Sequence, residues 1–304
     1  MISAHAHFLA AEARAWAGVA RRERWIDSQV ARARLRVLDH GSGPAVVFLH
    51  GITGTSSTWL PILSHLAGYR CLLVDFFGHG GSDDVDFSGV AIRPFVVDIL
   101  TEVLDGLGVG RCAVVGNSMG GMFALWLAAA RPERLDAVVA VGEPGAALPG
   151  VRARFPFWLL STPLVNRVVL AAPPPLPVQR AYERVHHERL DAQTADIHEA
   201  EYWASRRRGR GESIASLSRT VVRTTRVLPE AELTAAEIDS WSVPTRFIWG
   251  EEAPLLAPDD ARQTIDRMPS AELIVVPGGH IPQPEDPAAR AALVRDFLAA
   301  HAGH

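Results

Sequence analysis

The chain has 304 residues, 48% of them hydrophobic and 21% charged, with a formal net charge of −4. That length supports a large core, and the balance excludes a mostly disordered or low-complexity chain. All 30 basic residues are arginine, which excludes lysine Schiff bases, pyridoxal-phosphate attachment, a Walker-A lysine and a Ser-Lys dyad together.

The first 25 residues are rich in Ala and Arg. They predict a surface helix, and they lack the basic start and apolar run of a signal peptide. Residues 31–37 alternate apolar and charged, the pattern of a strand with one wet face. Residues 41–44 (GSGP) form a turn, and the continuous apolar run 45–49 reads as a buried parallel strand. Similar runs recur at 71–74, 112–115, 137–141, 245–249 and 273–276. Helical stretches at 57–66, 92–107, 119–130 and 258–268 lie between them, and a helix over 286–300 closes the chain. Strands alternating with helices indicate an α/β fold with a doubly wound, mostly parallel sheet. The interval from 144 to 241 shows no buried-strand run and is too long for a loop. It predicts an inserted helical cap over 144–240, ahead of the last two core strands, with 1–143 and 241–304 as the core. Cys71 and Cys112 sit in apolar runs and read as core thiols. No apolar run approaches the length of a membrane span. The most apolar stretch, 155–178, is broken by six prolines and contains Arg167. A soluble, cytoplasmic protein is expected, with a small-molecule substrate and neither nucleic acid nor membrane as partner; oligomeric state is not legible.

Gly116-Asn117-Ser118-Met119-Gly120 is a G-x-S-x-G pattern between a buried-strand run and an apolar helix. This is the context a nucleophile elbow requires: the glycines allow a sharp turn, and the serine stands at a helix N-terminus. With this motif the sequence resembles the α/β-hydrolase superfamily. His50-Gly51-Ile52 resembles its oxyanion loop, Asp75 to Ser82 its DxxGHGxS turn, and His280 stands where its catalytic histidine follows the last strand. The resemblance covers 35–141 and 243–300. It implies Ser118 as nucleophile, His280 as general base, and the Ile52 and Met119 backbone N–H groups as the oxyanion hole, with no cofactor. His50 and His79 belong to motifs that shape loops, and Asp75 is expected to fix its turn. Thr53 is a candidate substrate contact through its hydroxyl.

The family's usual acid position falls here on Ala253, within Trp249-Gly250-Glu251-Glu252-Ala253. Ala253 cannot orient an imidazole. Glu143, after the 137–141 run, and Glu252 both remain candidates, and absence of the acid is the third possibility. His186, His187, His198 and Glu199 lack a recognisable ligand spacing, so no metal site is expected. The Arg206–Arg210 cluster reads as a solvated turn, with an acidic substrate or partner as the alternative. Phe155 and Trp158, in the apolar group opening the cap, are candidate substrate contacts. The expected activity is a cofactor-independent serine hydrolase of an apolar carboxylic ester or lactone. A carbon–carbon hydrolase of ring-fission diketones and a non-hydrolytic cyclase, lyase or binder on the same fold are the alternatives.

Overall fold

The computed structural model describes residues 3–152, 192–223, 226–280 and 286–303, together with 162, 175 and 177. Phe155, Trp158, His186 and His187 lie outside the described residues.

The N-terminal helix is shorter than expected. α1 spans Ala4–Ala15, with the Ser3 hydroxyl capping the Ala6 N–H, and the chain reverses at Gly18 (φ 78°) into β1 (Arg22–Ser28). α1 is a surface helix, as expected, with Phe8, Ala11, Glu12 and Ala15 forming a buried face. β1 opens with four exposed residues and has no apolar alternation; it forms because it completes the sheet edge, pairing antiparallel with β2 (Ala33–Gly41).

The apolar runs become strands buried on both faces. In β3 (Ala45–Leu49) Val47 and Leu49 enter one hydrophobic cluster while Val46 and Phe48 enter another. β4 (Arg70–Asp75) divides Leu72 and Val74 from Cys71 and Leu73 in the same way. The region between them is a 3₁₀ turn and a single α-turn, α2 (Leu60–Leu63), rather than the long helix expected over 57–66. α3 (Ile92–Gly106) leads to β5 (Cys112–Asn117), α4 (Met119–Ala130) and β6 (Leu135–Val141). α4 is apolar all round, which suits a helix enclosed by the core.

The insert carries α5 (Ala192–Ser205), α6 (Arg210–Val221), the short pair β7 (Val222–Arg223) and β8 (Arg226–Val227), and α7 (Ala235–Asp239). The chain ends through β9 (Thr245–Gly250), α8 (Pro258–Ile265), β10 (Ala271–Val276) and α9 (Pro287–His301). The strand order is β1-β2-β4-β3-β5-β6-β9-β10, antiparallel at β1–β2–β4 and parallel from β4 to β10. This is the α/β-hydrolase arrangement, and its crossovers put the loops after β3, β5, β6, β9 and β10 at one end of the sheet.

α1 is anchored from both sides. Its Phe8 and Ala11 pack with Ala200 and Ala204 of α5, and Arg14 pairs with Asp196 (2.8 Å) and Glu199 (3.1 Å). Its Glu12 meets Arg36 of β2, whose guanidinium also holds Asp75 (2.6 Å). Asp75 further accepts the N–H groups of Ser56 (2.7 Å) and Gly81 (2.8 Å). Burial would raise its pKa, but Arg36, His50 and these two N–H groups hold it down at about 2. Removing the cation would leave two buried carboxylates unpaired. Arg36→Leu is therefore expected to lower unfolding free energy by about 3–5 kcal/mol in urea denaturation. A loss below about 1 kcal/mol would show that the cluster does not tie α1 to the sheet.

Candidate active site

Ser118 lies between β5 and α4 with φ 50° and ψ −113°, a left-handed conformation that side chains other than glycine's rarely adopt. The surrounding backbone is too close for side chains. A Cβ on Gly116 would lie 2.4 Å from the Gly120 carbonyl oxygen, and one on Gly120 would lie 2.0 Å from the Leu49 oxygen. The glycines thus let α4 start hard against β3, and Met119 contributes one of the unpaired amides at the helix start. Asn117 is buried and donates to the Val141 carbonyl (2.7 Å), joining the elbow to the end of β6.

Three loops bring side chains to this point. His280, after β10, places Nε2 2.8 Å from Ser118 Oγ. Its Nδ1 forms a short contact with Glu143 Oε2. Glu143 is 0% exposed and follows Gly142, whose φ of 76° turns the chain off β6. A Cβ on Gly142 would lie 2.2 Å from the His280 carbonyl oxygen, so this glycine also permits the two loops to meet. The other carboxylate oxygen, Oε1, accepts the Leu255 N–H at 2.7 Å. Leu255 belongs to the loop after β9, where Ala253 occupies the family's usual acid position. That loop thus supplies a backbone donor that steadies an acid from elsewhere. Glu252 is exposed, and its N–H donates to the Gly278 carbonyl.

The loop after β3 approaches from the other side. His50 is fully buried, with Nδ1 donating to the Gly51 carbonyl (2.7 Å) and Nε2 accepting the Phe76 N–H (3.1 Å). Buried His79 spans the Phe77 and Ile52 carbonyls. Burial pushes both histidines below their usual pKa, His79 strongly, with Arg210 adding to the effect. Both rings hold loops in place. Thr53 is exposed and does not line the pocket; its carbonyl, not its hydroxyl, makes the recorded contact, accepting from Arg210 Nη2 at 3.1 Å.

A pocket opens at Ser118. Its walls include Ile52, Met119, Met122, Val151, Leu217 and Val221, with Leu255, Val222 and Val227 beside them. Sequence reasoning missed the α6 contribution, although Ile214, Leu217 and Val221 carry the apolar spacing of a helix face. The arginine cluster is a turn with Arg208 exposed, as expected, but its other arginines are engaged with the protein. Arg207 donates to the Ser82 carbonyl (2.9 Å) and contacts the Gly80 carbonyl, Arg206 lies over the Tyr202 ring, and Arg210 is buried. Among the described residues no group of three or more His, Cys, Asp or Glu is placed to hold a metal ion, and no helix is long and apolar enough to cross a membrane.

The family model for the α/β-hydrolase fold matches residues 44–287. The chain belongs to this family. It is a hydrolase of the α/β-hydrolase type. An uncharacterised protein of Mycobacterium tuberculosis is 27% identical over 288 residues, covering 85% of this chain and 76% of that protein. The structure is similar to the naproxen esterase (carboxylesterase NP) of Bacillus subtilis, with TM-score 0.75 and 20% identity over 98% of this chain and 99% of that one. It is also similar to the 2-hydroxy-6-oxo-6-phenylhexa-2,4-dienoate hydrolase of Rhodococcus sp. strain RHA1, with TM-score 0.69 and 21% identity over 92% and 99%.

The two glutamates are separable by mutation. Glu143→Gln keeps the volume and an acceptor for Leu255 but removes the charge facing His280. It is expected to lower turnover at least about a hundredfold, whereas Glu252→Gln should cost less than about fivefold. Steady-state kinetics on an activated ester, with equal loss in both variants, would contradict this assignment.

Proposed function

We propose that the protein is a cofactor-independent serine hydrolase that cleaves a carboxylic ester or lactone of an apolar small molecule through an acyl-enzyme. The observation that carries this reading is the chain of contacts from buried Glu143 through His280 to Ser118 Oγ at the mouth of an apolar pocket.

Glu143 facing Nδ1 selects the tautomer with Nε2 unprotonated, so His280 accepts the Ser118 hydroxyl hydrogen. As Nε2 takes that proton, Ser118 Oγ bonds to the carbonyl carbon and the carbonyl electrons move to its oxygen. The Ile52 and Met119 N–H groups stabilise that oxyanion, aided by the N-terminal end of α4. The tetrahedral species collapses, and the alkoxy group leaves with the proton from His280. Water then attacks the acyl-enzyme with His280 as base, releasing the acid and restoring Ser118. The buried Glu143 carboxylate stabilises the imidazolium in both halves.

The pocket walls favour an apolar acyl group. Each buried methylene contributes about 0.8 kcal/mol, roughly a fourfold gain in kcat/KM per carbon. A series of p-nitrophenyl esters is expected to show that gain up to a limiting chain length and then a fall. Ser118→Ala should lose at least about 10⁴-fold on the best of them while keeping its fold. Retention of more than about a tenth of the activity would rule out the covalent route. Faster cleavage of a dienone-type diketone than of any ester would move the assignment to carbon–carbon hydrolysis.

A further inference from the structure

Three consecutive carbonyls of the loop after β3 each face a buried side-chain nitrogen. Gly51 O accepts from His50 Nδ1, Ile52 O faces His79 Nε2, and Thr53 O accepts from Arg210 Nη2. The Gly54 N–H also closes back on Gly51 O at 3.0 Å. A peptide's N–H points opposite to the carbonyl in the same plane, so Gly51 O sets the Ile52 N–H and Thr53 O sets the Gly54 N–H, which itself holds Gly51 O. The first two nitrogens come from the same end of the core as the loop. The third comes from α6, in the insert, 157 positions along the chain.

We propose that Arg210 is a positioning residue: seated from the insert, its guanidinium holds the Thr53 carbonyl, which aims the Gly54 N–H at Gly51 O and thereby sets the Ile52 N–H of the Gly51–Ile52 peptide to receive the oxyanion. This rests on the serine-hydrolase reading of the same site.

Several observations converge on that role. Arg210 is 1% exposed, yet its Nε and Nη1 have no hydrogen-bond partner among the described residues. Glu201, Asp75 and Asp84 lie near enough to favour its charge, but none is a hydrogen-bond partner of Nε or Nη1, so its desolvation is only partly offset and stability alone explains it poorly. Burial, with Arg207 nearby, pushes its pKa down to about 10, so it remains a cation at neutral pH. That places a fixed positive charge on the loop whose amide faces developing negative charge, where it favours the transition state over the neutral ester. The start of α6 is also docked tightly enough to aim it. A Cβ on Gly209 would lie 2.4 Å from Asp84 Oδ2, Arg207 holds the turn that carries His79, and Ser213 and Ser216 accept the Val85 and Phe87 N–H groups. Seating of the insert and completion of the oxyanion hole are thus one event.

The test compares wild type, Arg210→Met and Arg210→Lys by hydrogen exchange and by kinetics on a neutral ester, p-nitrophenyl butyrate. In Arg210→Met, amides in 50–58 should exchange at least about tenfold faster while those of β5 and α4 are unchanged. Turnover should fall at least about thirtyfold with KM within about threefold, and Arg210→Lys, which retains a cationic donor, should recover part of both losses. If Arg210→Met loosens the whole sheet, Arg210→Lys decides: partial loss confined to 50–58 supports the role, and wild-type exchange there overturns it. Unchanged exchange of 50–58 in a folded Arg210→Met also overturns it. So does a neutral ester that is cleaved normally while KM rises only for a carboxylate-bearing ester, which would make Arg210 a substrate contact. Absence of any Ser118-dependent hydrolysis in wild type would remove the serine-hydrolase reading, and the exchange measurement would still decide whether Arg210 holds the loop.

Discussion

The carboxylate of Glu143 is completely buried at the end of β6, and the Leu255 N–H and the His280 ring share it. A charge in that position has to be satisfied from both sides, and the loops around it are arranged to do so. Gly142 gives the backbone the turn that points the side chain inward and leaves room for the His280 loop. The loop after β9 folds so that a main-chain amide, not a side chain, faces the acid. With a carboxylate reaching His280 from the end of β6, position 253 is not needed to supply one. Ser118, held in its left-handed conformation by its glycines, then receives an imidazole whose orientation is already set.

The insert contributes more than a roof. Through Leu217 and Val221 it forms part of the apolar wall, and through Arg207 and Arg210 it grips the loops that follow β4 and β3. α1 adds a second anchor, bridging α5 and the Arg36–Asp75 cluster behind the same loops. Substrate fit and loop geometry therefore depend on the same seating of helices, and a substitution in the insert can alter both.

What was legible in the sequence follows from where the physics is local. Continuous apolar runs such as 45–49 and 112–115 announce strands with both faces buried, and α4 and the α/β order follow from them. The elbow was legible because a strained serine needs glycines at fixed spacing, and the structure brings His280 into contact with Ser118 and Glu143 into contact with His280. β1 was not legible, because an edge strand of RERWIDS owes its form to pairing with β2 and not to its own pattern. The buried face of α1 depends on partners far away in the chain, Arg36 and α5. Leu255 contributes through its amide, which carries no side-chain signature. The arginine run at 206–210 looked solvated because charge runs commonly are. The seating of Arg207 and Arg210 depends on carbonyls at 53, 80 and 82 that only the folded chain brings near.

The central claim is that Ser118 carries the acyl group during turnover. The most direct measurement is rapid acid quench of the protein during hydrolysis of an activated ester, followed by intact mass and peptide mapping. The account predicts a transient adduct of acyl mass on the peptide spanning 112–134, on Ser118, absent from Ser118→Ala and decaying at the turnover rate. Steady hydrolysis with no acylated species at any quench time, under conditions where deacylation limits the rate, would contradict it.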